Sequence, residues 1–214
     1  METMLQDNEN FVEKLKDATS ILHKIAERGG FNLELFKGNI TKEEYGEYLL
    51  HKLHIYRSLE SALNEQTSNN EISKIIFPEL QRESSLIEDL RTLLGDNFES
   101  APQLSSVGSY IYRIQTLATE KPLLLIAHAY TNYLADLSGG MIIKKILLEQ
   151  YGYEASELKT YAFDIPDIGK FKKEYHEILA KIIIENSMEA EFIEEVKLAY
   201  IFSIAALNEL VYHG

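Results

Sequence analysis

The chain contains no cysteine among its 214 residues. That excludes disulfides, thiolate nucleophiles, iron–sulfur clusters and cysteine-bound zinc, and it accords with a reducing cytosol. Only four prolines and eleven glycines interrupt it, which leaves room for long helices. Basic residues are scarce as well: 21 Lys and Arg stand against 34 Asp and Glu, a formal net charge of −13. An acid excess of this size repels phosphate and argues against nucleic acid or an anionic membrane as a partner. Long hydrophobic runs are missing too. The most apolar stretch, residues 123–129, falls far short of the ~20 residues a membrane helix needs, and residues 1–10 are polar and acidic, unlike a signal peptide. The expectation is a soluble, cytoplasmic protein with no membrane anchor.

What is present reads as helix. The composition, 45% hydrophobic and 26% charged, is that of a globular chain long enough to bury one sizeable core. Phe11, Leu15, Ala18, Leu22 and Ile25 recur at helical spacing, with Asn10 and Glu13 as a candidate capping box and Gly29–Gly30 as the stop. Thr41 and Glu44 form a stronger capping box ahead of Tyr45, Tyr48, Leu49, Tyr56, Leu59 and Leu63. Further runs follow through Leu86, Leu90 and Leu93 to Gly95, and through Val107, Tyr110, Ile114 and Leu117. Pro122 suits the start of a long helix reaching Tyr151–Gly152. Asp167 and Ser187 are candidate caps for the last two helices. No strand pattern or repeat competes, so the expectation is a single all-α domain of seven or eight helices: a polar segment at residues 1–10, then one domain over residues 11–212. With no coiled-coil repeat, it is expected to be a monomer.

Two features of this pattern call for a reason. Gly139 and Gly140 sit inside the long helix, where each costs about 1 kcal/mol relative to alanine. With Ala135 and Ser138 they form a seat lacking large side chains, suited to close helix packing or to something held against the backbone. Asp136 stands beside that seat, where a carboxylate needs hydrogen bonds or water. The second feature is His23, on the border of the first helix's apolar face, with Glu27 one turn on and Lys16 displaced by roughly 10 Å along the axis. Such a histidine is suited to packing, to a surface position, or to one axial site of a haem iron; the lysine can reach an anionic edge of the same flat ligand. Neither Glu-x-x-His nor His-Glu-x-x-His occurs among the six histidines, and His128 has a structural role by default.

Residues 125–140, with the sequence LIAHAYTNYLADLSGG, resemble the signature segment of haem oxygenases. The run LKDATSILH ending at His23 resembles that family's proximal-histidine helix. Lys37-Gly38, His54-Ile55-Tyr56, Tyr161-Ala162-Phe163 and Lys170-Phe171-Lys172 follow in the family's order, spanning residues 11 to 210. The resemblance implies a helical fold that sandwiches haem between a proximal and a kinked distal helix. His23 would ligate iron through Nε2, with Glu27 accepting a hydrogen bond from Nδ1. Gly139 and Gly140 would cover the distal face, with Ala135 and Ser138 beside them. Asp136, aided by Tyr56, would organise distal water and supply protons. Lys16 and Lys172 would pair with the haem propionates, and Tyr130 and His176 lie at the same edge.

The implied reaction uses O2 and external electrons, from a donor such as ferredoxin or a flavin reductase, to open haem into biliverdin, carbon monoxide and ferrous iron, with the α meso carbon the expected target. Haem is cofactor and substrate at once. The chain departs from the family pattern in two places: Ala135 replaces the usual glycine before the aspartate, and His176 replaces a frequent arginine. The first departure keeps open a protein that binds or stores haem without degrading it. A related helical fold acting on another small molecule, as in thiaminase-like proteins, is a third reading; the absent cysteine nucleophile and the presence of His23 weigh against it. Lys16 with Lys170, Lys172 and Lys173 would form a basic rim on an acidic body, suited to propionates and to an acidic redox partner.

Overall fold

The computed structural model describes residues 2–100 and 102–212, with side chains from residue 6 onward. The described residues contain no strand. Helix α1 (Glu2–Arg28) leads into α2 (Gly30–Lys37) and α3 (Lys42–Glu65), then the single turn α4 (Asn70–Ser73) and α5 (Glu83–Leu94). After α6 (Ser105–Glu120) comes a broken rod. It consists of α7 (Leu125–Ala135), a π-helical segment (Asp136–Gly140) and α8 (Met141–Gln150). Helices α9 (Ile168–Glu185) and α10 (Glu189–Tyr212) complete the chain.

Several ends follow from the residues that mark them. Thr41 accepts from the Glu44 amide at 3.1 Å while Glu44 accepts from the Thr41 amide at 2.6 Å, the reciprocal box expected. Asp167 caps α9 by accepting from the Lys170 amide. The Gly29–Gly30 pair ends α1, and Gly30 is required for a second reason. At φ +52°, a β-carbon on it would stand 2.6 Å from the Leu207 carbonyl oxygen of α10.

Other expectations are corrected. Helix α1 does not start at Asn10; the polar residues before it extend the same helix back to Glu2, so no capping box forms with Glu13. Asn10 instead accepts from Gln6 one turn earlier. Ser187 caps nothing: it adopts the left-handed conformation, φ 55°, in the turn between α9 and α10, and Met188 receives the first helical bond of α10. Among the described residues ten α-helical segments replace seven or eight, because α2 and α4 are short pieces and the π segment divides one rod into α7 and α8.

Helix α10 packs against α1, α2, α6 and α7, while α3 packs against α5 and α6. The core is rich in tyrosine; Tyr45, Tyr56, Tyr110, Tyr161 and Tyr175 are all fully buried. The irregular stretch between α8 and α9 is pinned by buried charge. The guanidinium of Arg82 donates to the carbonyls of Leu80, Glu79, Thr160 and Ala162 and lies 4.1 Å over the Phe163 ring. Asp89 accepts from the amides of Lys159 and Thr160. Those bonds offset the cost of burying both ions, and they hold Tyr161 beneath the π segment.

Candidate functional site

Helix α7 is buried on nearly every side, so it can bring its C-terminal end to the middle of the molecule. There the ladder widens into the π segment, the form a helix takes to accommodate an extra residue, often at a functional site. Ser138 marks the change by donating to the Leu134 carbonyl at 2.8 Å. Ala135 and Ser138 are exposed into a cleft, while Asp136 is buried toward α3 and Gly140 toward Tyr161. Gly140 is there for packing: a β-carbon on it would lie 2.9 Å from the Tyr161 ring. Gly139 is different, because a β-carbon there would meet nothing within 4 Å and would project into open space.

The cleft has two parts. An inner hollow of about 280 Å³ lies between α1, α3, the π segment and α10, with Ile55, Ile142, Ile143, Ala206, Leu207 and Leu210 among its walls. An outer hollow of about 440 Å³ is rimmed by Lys16, Lys24, Arg28, Lys172 and His176. The two share His23, Glu27, Thr131, Ala135, Ser138 and Tyr200, so they form one continuous slot, apolar inside and cationic at the mouth. The site residues expected from the sequence line one part or the other: His23, Lys16, Glu27, Tyr130, Ala135, Ser138, Lys172, His176, Asp136, Gly139 and Gly140. Tyr56 is the exception. It is fully buried behind Asp136 and donates to its Oδ2 at 2.6 Å.

On the α1 side His23 is half exposed, its ring edge-on to Tyr200 at 6.0 Å. Its Nδ1 lies 3.7 Å from the Glu27 carboxylate, too long for the expected hydrogen bond. Lys172 donates to Ser138 Oγ at 2.7 Å, bridging α9 to the distal segment. His176 packs edge-on against Tyr130. Burial, then the nearby Lys16 charge, pushes its pKa down to about 4, so it is neutral at physiological pH. Lys170 and Lys173 are paired along α9 with Glu174 and Glu177. The cations of the mouth are therefore Lys16, Lys24, Arg28 and Lys172, two of them unforeseen.

Sequence reading also missed Lys52. It lies on α3, is 13% exposed, and donates to Asp136 Oδ1 at 2.5 Å. Its ammonium is 5.6–5.7 Å from the rings of Tyr48, Tyr56 and Tyr161. The signal was one lysine inside the apolar run of α3, but the pairing spans 84 residues and no local spacing reveals it. His128 takes the structural role expected. It is fully buried, with Nδ1 3.1 Å from the Tyr110 hydroxyl and Nε2 2.9 Å from Glu195. Burial opposes the charge on Glu195, but hydrogen bonds from His128 and Arg113 prevail and bring its pKa to about 2.

Fold and cleft together define an all-α protein with a slot between two helices, apolar inside and cationic at the mouth. The heme oxygenase family model matches residues 9–209, and the chain belongs to that family. It is 32% identical over 203 residues to heme oxygenase 1 of Synechocystis sp., covering 94% of this chain and 85% of that one. It is 34% identical over 204 residues to the heme oxygenase of Guillardia theta, covering 94% and 86%. Among solved structures, heme oxygenase-1 from Synechocystis in complex with heme superposes with a TM-score of 0.88 at 30% identity, over 95% of this chain and 93% of that one. Heme oxygenase from Leptospira interrogans gives 0.86 at 31% identity, over 93% and 98%. The all-α fold and the haem oxygenase class expected from the sequence both stand. No described helix is long and apolar enough to cross a membrane.

Proposed function

We propose that the chain binds haem in the two-part slot and cleaves it oxidatively to biliverdin, carbon monoxide and ferrous iron, using O2 and electrons from a separate donor. The observation that carries this reading is His23. It is a half-exposed imidazole at the seam of an apolar hollow and a cationic mouth, facing a distal segment that has no side chain at Gly139. These residues fit haem. A β-carbon at Gly139 would occupy the space a flat ring needs, and Lys16, Lys24, Arg28 and Lys172 meet an anionic edge.

Haem, when bound, supplies the iron that activates O2 and the ring that is opened. The protein supplies position. His23 would hold the iron through Nε2, with the Glu27 carboxylate 3.7 Å from Nδ1. With no side chain at Gly139, the distal wall would let the ring approach the backbone and leave little room for small reactants away from it. Asp136, fixed by Tyr56 and Lys52, keeps a distal water oriented to deliver protons. Lys16 and Lys172 would hold the propionates and so set how the ring is oriented in the slot.

The chain is assigned to the cytoplasm and acts as a monomer on this reading, with residues 11–212 as the catalytic domain and the basic mouth receiving an acidic ferredoxin or a flavin reductase. The test adds haemin, a reductase system and catalase, and follows the visible spectrum. Loss of the Soret band with biliverdin and carbon monoxide formed is expected. A stable complex without ring opening would instead indicate a haem-storage protein, the reading that Ala135 favours.

A further inference from the structure

From the contact between Lys52 and Asp136 we infer that Lys52 is a positioning residue of the distal wall, which cancels the Asp136 charge and fixes the carboxylate toward the slot. The inference rests on the haem-binding reading above but concerns a residue outside the matched motifs. Asp136 is 6% exposed and each of its oxygens has one donor, Tyr56 on Oδ2 and Lys52 on Oδ1. A hydroxyl alone leaves a buried carboxylate undercompensated; an ammonium in direct contact supplies an equal and opposite charge. Lys52 itself lines the inner hollow, so the distal wall presents to a ligand a neutral pair rather than an anion.

The surroundings hold the ammonium in place. Tyr48 and Tyr56 face it from α3 and Tyr161 from the turn before α9, each offering a ring face. His51, which burial and then His54 lower to about 4, adds no positive charge at neutral pH. Behind Tyr56 lie Tyr133, Glu60 and Arg82, and His23 and Glu27 close the slot from α1. Burial alone would drive the Lys52 amine down, but Asp136 and then Tyr48 outweigh it and hold it above the ordinary lysine value.

Two measurements test this. In the haem-free full chain, a side-chain NMR titration should place the Lys52 amine above the ordinary lysine range, and Asp136→Asn should lower it by a pH unit or more. A wild-type midpoint at or below the ordinary value, or no change in the variant, overturns the pairing whatever the protein binds. In the ferric haem complex, the acid–alkaline spectral transition reports a distal water giving up its proton. Lys52→Met exposes that water to an unbalanced carboxylate, and its midpoint should rise by about one pH unit. Lys52→Gln keeps a donor without the charge and should rise similarly, whereas Lys52→Arg should stay near wild type. If Lys52→Gln matched wild type, the role would be a structural tie and the inference would fall. A wild-type chain that binds no haem would defeat the haem reading instead, while the first titration still decides the pairing.

Discussion

Gly140 stands so close to Tyr161 that a β-carbon on it would lie 2.9 Å from the ring, whereas its neighbour Gly139 faces open space. Two adjacent glycines thus answer to different demands. Gly140→Ala must displace a fully buried ring and should destabilise the haem-free protein by about 1–3 kcal/mol. Gly139→Ala should leave thermal stability unchanged or slightly raised, since alanine favours helix, yet weaken haem binding. Melting curves and haemin titration of both variants separate the two; equal loss of stability would remove the distinction.

His23→Ala should abolish histidine ligation of haem while changing folding stability by no more than about 0.5 kcal/mol, because the ring is half exposed. The resonance Raman iron–histidine band is the readout. A retained band would move the ligand elsewhere.

Ala135 is exposed to both parts of the slot. Removing its methyl with Ala135→Gly should speed ring opening by roughly 2- to 10-fold by letting the distal wall settle closer, at a helix cost of about 1 kcal/mol. Single-turnover spectra measure the first effect and denaturant melts the second. A slower variant would show that the methyl is accommodated.

Lys16 and Lys172 are expected to share the propionates, with His176 neutral beside them. The double change Lys16→Ala with Lys172→Ala should weaken haem binding by about 3- to 10-fold and give more than one biliverdin isomer. His176→Arg should do the reverse, sharpening the product to a single isomer on chromatography. An unaltered isomer pattern in the double variant would place the anchor at Lys24 and Arg28.

Glu60 is buried and accepts from the amides of Arg82 and Glu83, yet burial outweighs those bonds and raises its pKa to about 7. A carboxyl raised in the folded state adds stability that is complete below its unfolded pKa, about 4.5, and is lost as pH rises toward 7. Stability should therefore fall by on the order of 1–3 kcal/mol across that interval. Glu60→Gln should flatten the slope in urea melts between pH 4.5 and 7.

Most of the fold was legible because helix ends are local. Thr41 with Glu44, Asp167 and the Gly29–Gly30 pair each satisfy a requirement within a few residues. Asn10 misled because a polar residue can cap a helix or simply ride along one, and only the chain before it decides. Ser187 misled because serine suits a cap, but the tight turn after α9 needs a left-handed residue there. At the site, every expected residue but Tyr56 lines the slot, while most of its walls, Lys24, Arg28 and Tyr200 among them, were not foreseen. What it could not supply were contacts between distant elements: the meeting of Lys52 and Asp136, and the burial that leaves His176 without charge.

Helix α1 carries His23 and Lys16, rests on α9 and α10, and faces the distal segment across the slot. A ring bound there would complete the interior, its faces taking the place of side chains that neither helix provides. The substrate would then be mortar between two walls. Cutting it open would turn a rigid plate into a flexible chain, and the joint would loosen as the reaction finished. The grip that makes catalysis possible would weaken through its own success.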